Sequence, residues 1–231
     1  MFQTSLFESS TVAKPQEEKF PLAGGGELII SRSWLNSEQT DRLFETLIET
    51  IPWEQPLITV YGKQNVIPRK QAWYGDEGAV MEYSGQRFRP LPWLPALASL
   101  RQKLEAELSQ SFNSVLANLY RDGNDTVGWH ADDEPELGHN PVIASLSLGE
   151  TRTLCLKPKQ RKKRKNGATE SSSEKSFQGA LQQKRIDLPL HSGDLLIMRG
   201  SVQHHWQHSV PREKSVNPRI NLTFRKILDK K

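Results

Sequence analysis

The residues of this chain best suited to chemistry lie in two short motifs. Gly128-Trp129-His130-Ala131-Asp132 is the first, and His204-His205-Trp206-Gln207-His208 is the second. In an extended segment alternate side chains share a face, so His130 and Asp132 point the same way. A second imidazole brought from elsewhere in the chain completes a two-histidine, one-carboxylate face. That ligand set leaves positions open on a non-haem iron(II) ion and suits oxygen activation. His191, His204, His205 and His208 could each supply the second imidazole, and spacing does not choose among them.

A third group lies near the C-terminus. Arg219, Asn221, Thr223 and Arg225 alternate with Ile220, Leu222 and Phe224. A strand with this pattern turns its apolar set toward core packing and its polar set, with two guanidiniums, toward the other face. Arginine pairs with planar carboxylates through two parallel hydrogen bonds. Two arginines beside a metal therefore suit an anionic cosubstrate with two carboxylates. Asn118 and Tyr120 form a second i, i+2 polar pair, on the strand ahead of His130, and could add donors to the same ligand.

The elements that must position these residues fall into two halves. Asn36-Ser37 offers a helix N-cap. Leu43, Phe44, Leu47, Ile48 and Ile51 follow at helical spacing, and Pro52 stops the run. A second helix is predicted from Leu94 to Leu108, buried along Leu97, Leu100, Leu104 and Leu108. Glu27–Ile30, Leu57–Tyr61, Gln71–Tyr74 and Val80–Tyr83 read as short strands. From Phe112 onward the pattern is β, with strands predicted at 112–120, 142–148, 151–156, 195–198 and 219–226. Helices first and strands later predict an α+β fold, with helices packed on one face of a double-sheeted β core.

Residues 1–25 read as a flexible tail, 26–111 as an N-terminal extension and 112–228 as the core. A basic, polar segment at 158–185 interrupts that core and is expected to be mobile, since it has little to bury. Seven of the nine residues from Lys157 to Lys165 are Lys or Arg, although the whole chain carries a net charge of only +4. This uneven spread favours a polyanionic partner such as nucleic acid. The single cysteine, Cys155, rules out an internal disulfide, and any metal must be held mainly by His, Asp or Glu. No run of 18 apolar residues is present, so no membrane span is expected. Met1–Phe20 lacks the continuous apolar core of a secretory signal and carries Glu8, Glu17 and Glu18.

Several separated stretches resemble one family in the family's order. They are Pro68-Arg69-Lys70-Gln71-Ala72, Trp73-Tyr74-Gly75-Asp76, Asn118-Leu119-Tyr120, His130-Ala131-Asp132-Asp133-Glu134, His208-Ser209-Val210-Pro211 and Arg219 through Arg225. The chain is similar to the AlkB-type iron(II)- and 2-oxoglutarate-dependent dioxygenases, in their nucleic-acid-repair branch and closest to the duplex-DNA-acting subgroup. The resemblance implies a double-stranded β-helix, or jelly-roll, core. It implies His130, Asp132 and His208 as iron(II) ligands, and so selects His208 among the four histidines. It implies Asn118, Tyr120, Arg219, Asn221, Thr223 and Arg225 as the 2-oxoglutarate site, with Arg219 on the distal carboxylate and Arg225 near the metal-bound end.

The same resemblance implies how substrate is held. Tyr74, Gly75 and Asp76 belong to a nucleotide-recognition lid, and Asp133 reads the exocyclic edge of the base with Glu134 beside it. Tyr61, Gly62 and Lys63 belong to a hairpin whose aromatic wedge enters the duplex stack, where the subgroup often carries Phe. A base must leave the helix for its methyl group to reach iron, and an aromatic can fill the gap. The implied reaction is oxidative demethylation of bases such as 1-methyladenine and 3-methylcytosine in DNA, with RNA as a further candidate. It would consume O2 and 2-oxoglutarate and release succinate, carbon dioxide and formaldehyde. The expected molecule is a monomer acting on single- or double-stranded alkylated DNA, cytoplasmic in a bacterium and nuclear in a eukaryote. Three rivals remain: a 2-oxoglutarate hydroxylase of proteins or small molecules, a non-catalytic nucleic-acid-binding jelly roll, and a zinc or manganese cupin that would not need Arg219 and Arg225 together.

Overall fold

The computed structural model describes residues 16–60, 62–83, 86–160, 184–214 and 217–228. Helix α1 (Ser37–Thr50) starts where the side chain of Asn36 accepts a hydrogen bond from the Gln39 backbone and the Gln39 side chain answers on the Asn36 N–H. This reciprocal cap satisfies two of the four N–H groups a helix start leaves unpaired. Helix α2 (Pro95–Leu108) starts on a proline, whose missing N–H costs nothing in the first turn, and ends at Ser109 in the left-handed region. Leu43 and Leu47 of α1 are buried in one cluster with Leu97, Leu100 and Leu104 of α2.

Fifteen strands are described. They are β1 (Gln16–Leu22), β2 (Gly26–Arg32), β3 (Leu57–Val60), β4 (Lys63–Val66), β5 (Lys70–Gly75), β6 (Met81–Tyr83), β7 (Gln86–Phe88), β8 (Ser114–Tyr120), β9 (Val127–His130), β10 (Ile143–Gly149), β11 (Arg152–Pro158), β12 (Ile186–Leu190), β13 (Leu195–Gly200), β14 (Trp206–Val210) and β15 (Arg219–Arg225). A seven-stranded sheet has the order β1-β2-β13-β10-β15-β8-β5, and a four-stranded sheet has the order β12-β11-β14-β9. From β8 onward the chain steps between the two sheets, and every pairing is antiparallel. This is a jelly roll.

The period-2 alternation divides each strand between two environments. Ile220, Leu222 and Phe224 of β15 join Ala144, Leu146 and Leu148 of β10 and Val115, Ala117 and Leu119 of β8 in the cluster that holds the helical leucines. Leu28, Ile30, Leu196 and Met198 of the large sheet meet Leu154, Leu156, Leu188, Leu190 and Val210 of the small sheet in a second cluster, which fills the space between the sheets. The polar residues of β15 and β8 point into that same space.

The structure corrects the expected tail over residues 16–25; residues 1–15 lie outside the described residues. Residues 16–22 form β1, paired with β2 from Gln16↔Arg32 to Leu22↔Gly26. Gly24 and Gly25, at φ +93° and +87°, make the turn between them. Glu18, Phe20 and Leu22 alternate inward, and Arg32 binds both Glu18 and Asp194, which anchors the hairpin to the core. Strands β1, β2 and β5 lie in the large sheet beside the strands of the core. Most of the basic segment lies outside the described residues. No described helix is long and apolar enough to cross a membrane.

Candidate active site

Two strands of the small sheet bring the histidines together. His208 of β14 is the register partner of His130 at the end of β9, and their ring centroids lie 4.2 Å apart. Asp132 follows β9, and its Oδ2 lies 3.9 Å from His208 Nε2. The three donor atoms all fall within 4.8 Å of one another. Among the described residues this is the one group of three or more such side chains disposed to hold a metal.

Each ligand is oriented by a neighbour. His130 Nδ1 lies 2.9 Å from the Gly128 carbonyl. A carbonyl only accepts, so Nδ1 carries the proton and Nε2 presents its lone pair. Asp132 Oδ1 accepts from Arg225 Nη2 at 2.7 Å, and its backbone N–H donates to Gln203 Oε1 at 2.9 Å. Oδ2 is buried with no partner, which leaves it for a cation. Burial alone would raise the Asp132 pKa, but the Arg225 charge and the two imidazoles hold it at about 2. Burial, assisted by His130, pushes His208 down to about 3, so it is a neutral donor at physiological pH.

These shifts give metal-free protein a definite pH dependence. The unfolded chain protonates His208 near 6.5, whereas the folded chain resists until about 3. Stability from this group is complete above pH ~6.5 and is lost as pH falls toward 3, by about 1.4 kcal/mol per unit. Asp132 adds a further loss between 3.8 and about 2. Melting temperatures of metal-free protein should fall steadily from pH 7 to pH 4, and a flat profile would contradict these environments.

The cavity beside the triad is lined by Arg69, Leu116, Asn118, Tyr120, Ser145, Asn221, Thr223 and Arg225 with His130 and His208. Two buried arginines near it contrast sharply. Arg152 is fully engaged: it donates to Glu213 and to the carbonyls of Asp122, Asp125 and Pro211. Arg219 is 2% exposed, bonds Ser147 through Nη2, and leaves Nε and Nη1 buried with no partner. Both stack on the Tyr120 ring, at 5.4 and 5.3 Å. Burying a guanidinium without its counter-charge is expensive. The Arg219 environment therefore fits an anionic ligand, and burial lowers its pKa in the absence of one. Asn221 donates to Ser145 and Leu146 and accepts from Thr223, so it braces the cavity floor. Asn118 accepts from Arg69 Nε at 2.7 Å. Arg69, Gln203 and Ser147 were not selected from the sequence as site residues; Arg69 stood inside a family-like stretch, while Gln203 and Ser147 carried no signal of their own.

The lid residues need correction. Tyr74 is 2% exposed in the cluster with the helical leucines, so it cannot face a base. Its strand neighbour Trp73 is the residue on the cavity side: Trp73 pairs with Leu116, which lines the cavity, and Tyr74 pairs with Val115, which does not. A one-residue shift of parity exchanges the two faces of a strand. Gly75 is buried against Asn113, and Asp76 accepts from Trp93, ahead of α2, and from Arg101 within it, so neither reaches the site. Asp133 and Glu134 directly follow the ligand Asp132, and neither is among the residues that line the cavity. Burial, then the Asp132 charge, raises the pKa of Glu134. Gly62, at φ +75°, lies in the turn of the β3–β4 hairpin, where Val60 pairs with Lys63. Tyr61 lies outside the described residues.

A jelly roll enclosing a two-histidine, one-carboxylate face beside an unpaired buried guanidinium defines the scaffold of a metal- and oxoacid-dependent oxygenase. Residues 27–225 match the 2OG-Fe(II) oxygenase superfamily. The chain is 39% identical over 206 residues to the alpha-ketoglutarate-dependent dioxygenase alkB homolog 3 of Mus musculus, covering 88% of this chain and 67% of that protein. It is 38% identical over 197 residues to the DNA oxidative demethylase ALKBH2 of Homo sapiens, covering 82% and 69%. The solved structure of OsALKBH1 aligns with a TM-score of 0.56 at 16% identity over 91% of this chain and 100% of that one, a likeness of fold. The chain belongs to the 2OG-Fe(II) oxygenase superfamily and, within it, to the AlkB-type nucleic-acid-repair branch. It is an iron(II)- and 2-oxoglutarate-dependent dioxygenase, and the donor set and the unpaired Arg219 fit both groups.

Proposed function

We propose that this protein removes N-methyl groups oxidatively from damaged bases in DNA, such as 1-methyladenine and 3-methylcytosine. The observation that carries this reading is the buried His130–Asp132–His208 face beside Arg219, in a chain similar over most of its length to proteins named for DNA demethylation. Iron(II) with 2-oxoglutarate and O2 supplies the oxidation of the methyl carbon, and the hydroxymethyl product leaves as formaldehyde.

The chain's own groups do the rest. His130, Asp132 and His208 would hold the metal. Arg219, with Tyr120 beside it, would bind the distal carboxylate of the cosubstrate. Arg225 keeps Asp132 ionised and oriented, and Asn118, Asn221 and Thr223 shape the cavity. Asp133, an exposed carboxylate beside the centre, attracts the positive charge of the methylated base. The same reading places α1 and α2 on one face of the large sheet, as a rigid backing to β8 and β15, supported by their shared cluster. It extends to RNA as a further substrate, a monomeric protein, and a nuclear or bacterial cytoplasmic setting.

The test is turnover on matched single- and double-stranded DNA and RNA carrying one methylated base, with iron(II) and 2-oxoglutarate supplied. Restored base and equimolar succinate are expected, and the absence of repair under conditions where a known demethylase works would remove the proposal. Within this reading the β3–β4 hairpin supplies the wedge. Tyr61→Ala should reduce repair of duplexes severalfold more than repair of single strands, since stacking contributes about 1–3 kcal/mol per base. Equal losses on both would exclude a wedge.

A further inference from the structure

Lys159, at the end of β11, is held more firmly than a surface lysine needs to be. Its backbone N–H donates to the His205 carbonyl at 2.8 Å. Its ammonium donates to the Gln203 carbonyl and to Asp133 Oδ2, each at 2.7 Å. The Lys159 side chain is 23% exposed, whereas that of Asp133 is 54% exposed. An exposed ion pair adds little stability. Two of the three contacts go to backbone, so the fold places this ammonium whether or not Asp133 is present. The ammonium engages Asp133 through its Oδ2 oxygen.

Asp133 directly follows the ligand Asp132, and its carboxylate is more than half exposed. Left alone, that charge would strongly favour cationic bases over neutral ones. We infer that Lys159 is a specificity-determining positioning residue: its ammonium partly neutralises Asp133 and limits the preference for cationic over neutral methylated bases. The inference rests on the demethylase reading and extends it, because it makes neutral lesions such as 3-methylthymine part of the substrate range.

Lys159→Met and Lys159→Arg test it. Two oligonucleotides identical but for 1-methyladenine, a cation, or 3-methylthymine, which is neutral, are bound anaerobically to the iron(II)- and 2-oxoglutarate-loaded protein and then turned over in air. Lys159→Met should raise the cation-to-neutral ratio of both affinity and kcat/KM roughly tenfold, the scale of a unit charge acting over a few ångströms of partly screened medium. Lys159→Arg should keep the ratio within about twofold of the parent. Equal losses on both lesions in Lys159→Met, with the ratio unchanged, would mean that the lysine only braces the Gln203 turn, and the inference would fall alone. If the parent protein binds neither oligonucleotide, the demethylase reading falls and takes this inference with it.

Discussion

Asp132→Ala should abolish stoichiometric iron binding and with it all turnover. Asp132 supplies the sole carboxylate of the triad, and its Oδ2 is buried with nothing else to bind. The expected loss exceeds the ~10–100-fold that follows removal of an outer-shell partner of a metal. The structure adds a second consequence. Asp132 Oδ1 is paired at 2.7 Å with Arg225, itself 7% exposed. Removing one partner of a buried pair strands the other, at a cost of about 3–5 kcal/mol. The alanine variant should therefore melt at a lower temperature than the metal-free parent. Asp132→Asn, which keeps a hydrogen-bonding oxygen for Arg225, should recover part of that stability without recovering iron. Metal analysis and calorimetry on the three proteins separate the two effects, and full activity in the alanine variant would remove Asp132 from the ligand set.

Arg219→Ala should raise the 2-oxoglutarate concentration needed for half-maximal turnover roughly 100-fold. Two hydrogen bonds to a carboxylate are at stake at about 1.5–3 kcal/mol each, and each tenfold corresponds to about 1.4 kcal/mol. Nε and Nη1 of Arg219 are both buried donors with no protein partner. The parent should accordingly gain thermal stability from 2-oxoglutarate, and the variant should lose that gain. Arg219→Met should behave differently without ligand: it replaces an uncompensated buried cation by an apolar side chain of similar length, so the free protein should melt higher. An unchanged cosubstrate requirement in Arg219→Ala would assign the anion to another group.

Much of this architecture was legible because local signals agreed with the global fold. Asn36 and the Leu43–Ile51 spacing marked α1 within a residue, and the alternation of β15 sorted its two faces correctly. Strands β9 and β14 were missed because their residues are chosen for ligation: Gly128, Trp129 and His130, or Gln207 and His208, show no apolar alternation. Strand β1 hid behind three charged residues and a proline. Tyr74 was misplaced because a short motif does not fix the parity of its strand, which β8 sets through pairing. Arg69, although inside a family-like stretch, and Lys159 were not marked as site residues, since what distinguishes them is what they touch. Resemblance to a family, rather than spacing, singled out His208.

The order in which the chain is made has a bearing on when the site is complete. His130 and His208 meet only across the β9–β14 pairing, and β15, which carries Arg219 and Arg225, sits between β10 and β8 in the large sheet. Such long-range strand pairing forms late, because loop-closure entropy must be overcome first. A partly synthesised polypeptide therefore has no complete seat for ferrous ion or keto acid. Site and fold are completed together, since the two histidine ligands and the two arginines sit on strands of different sheets.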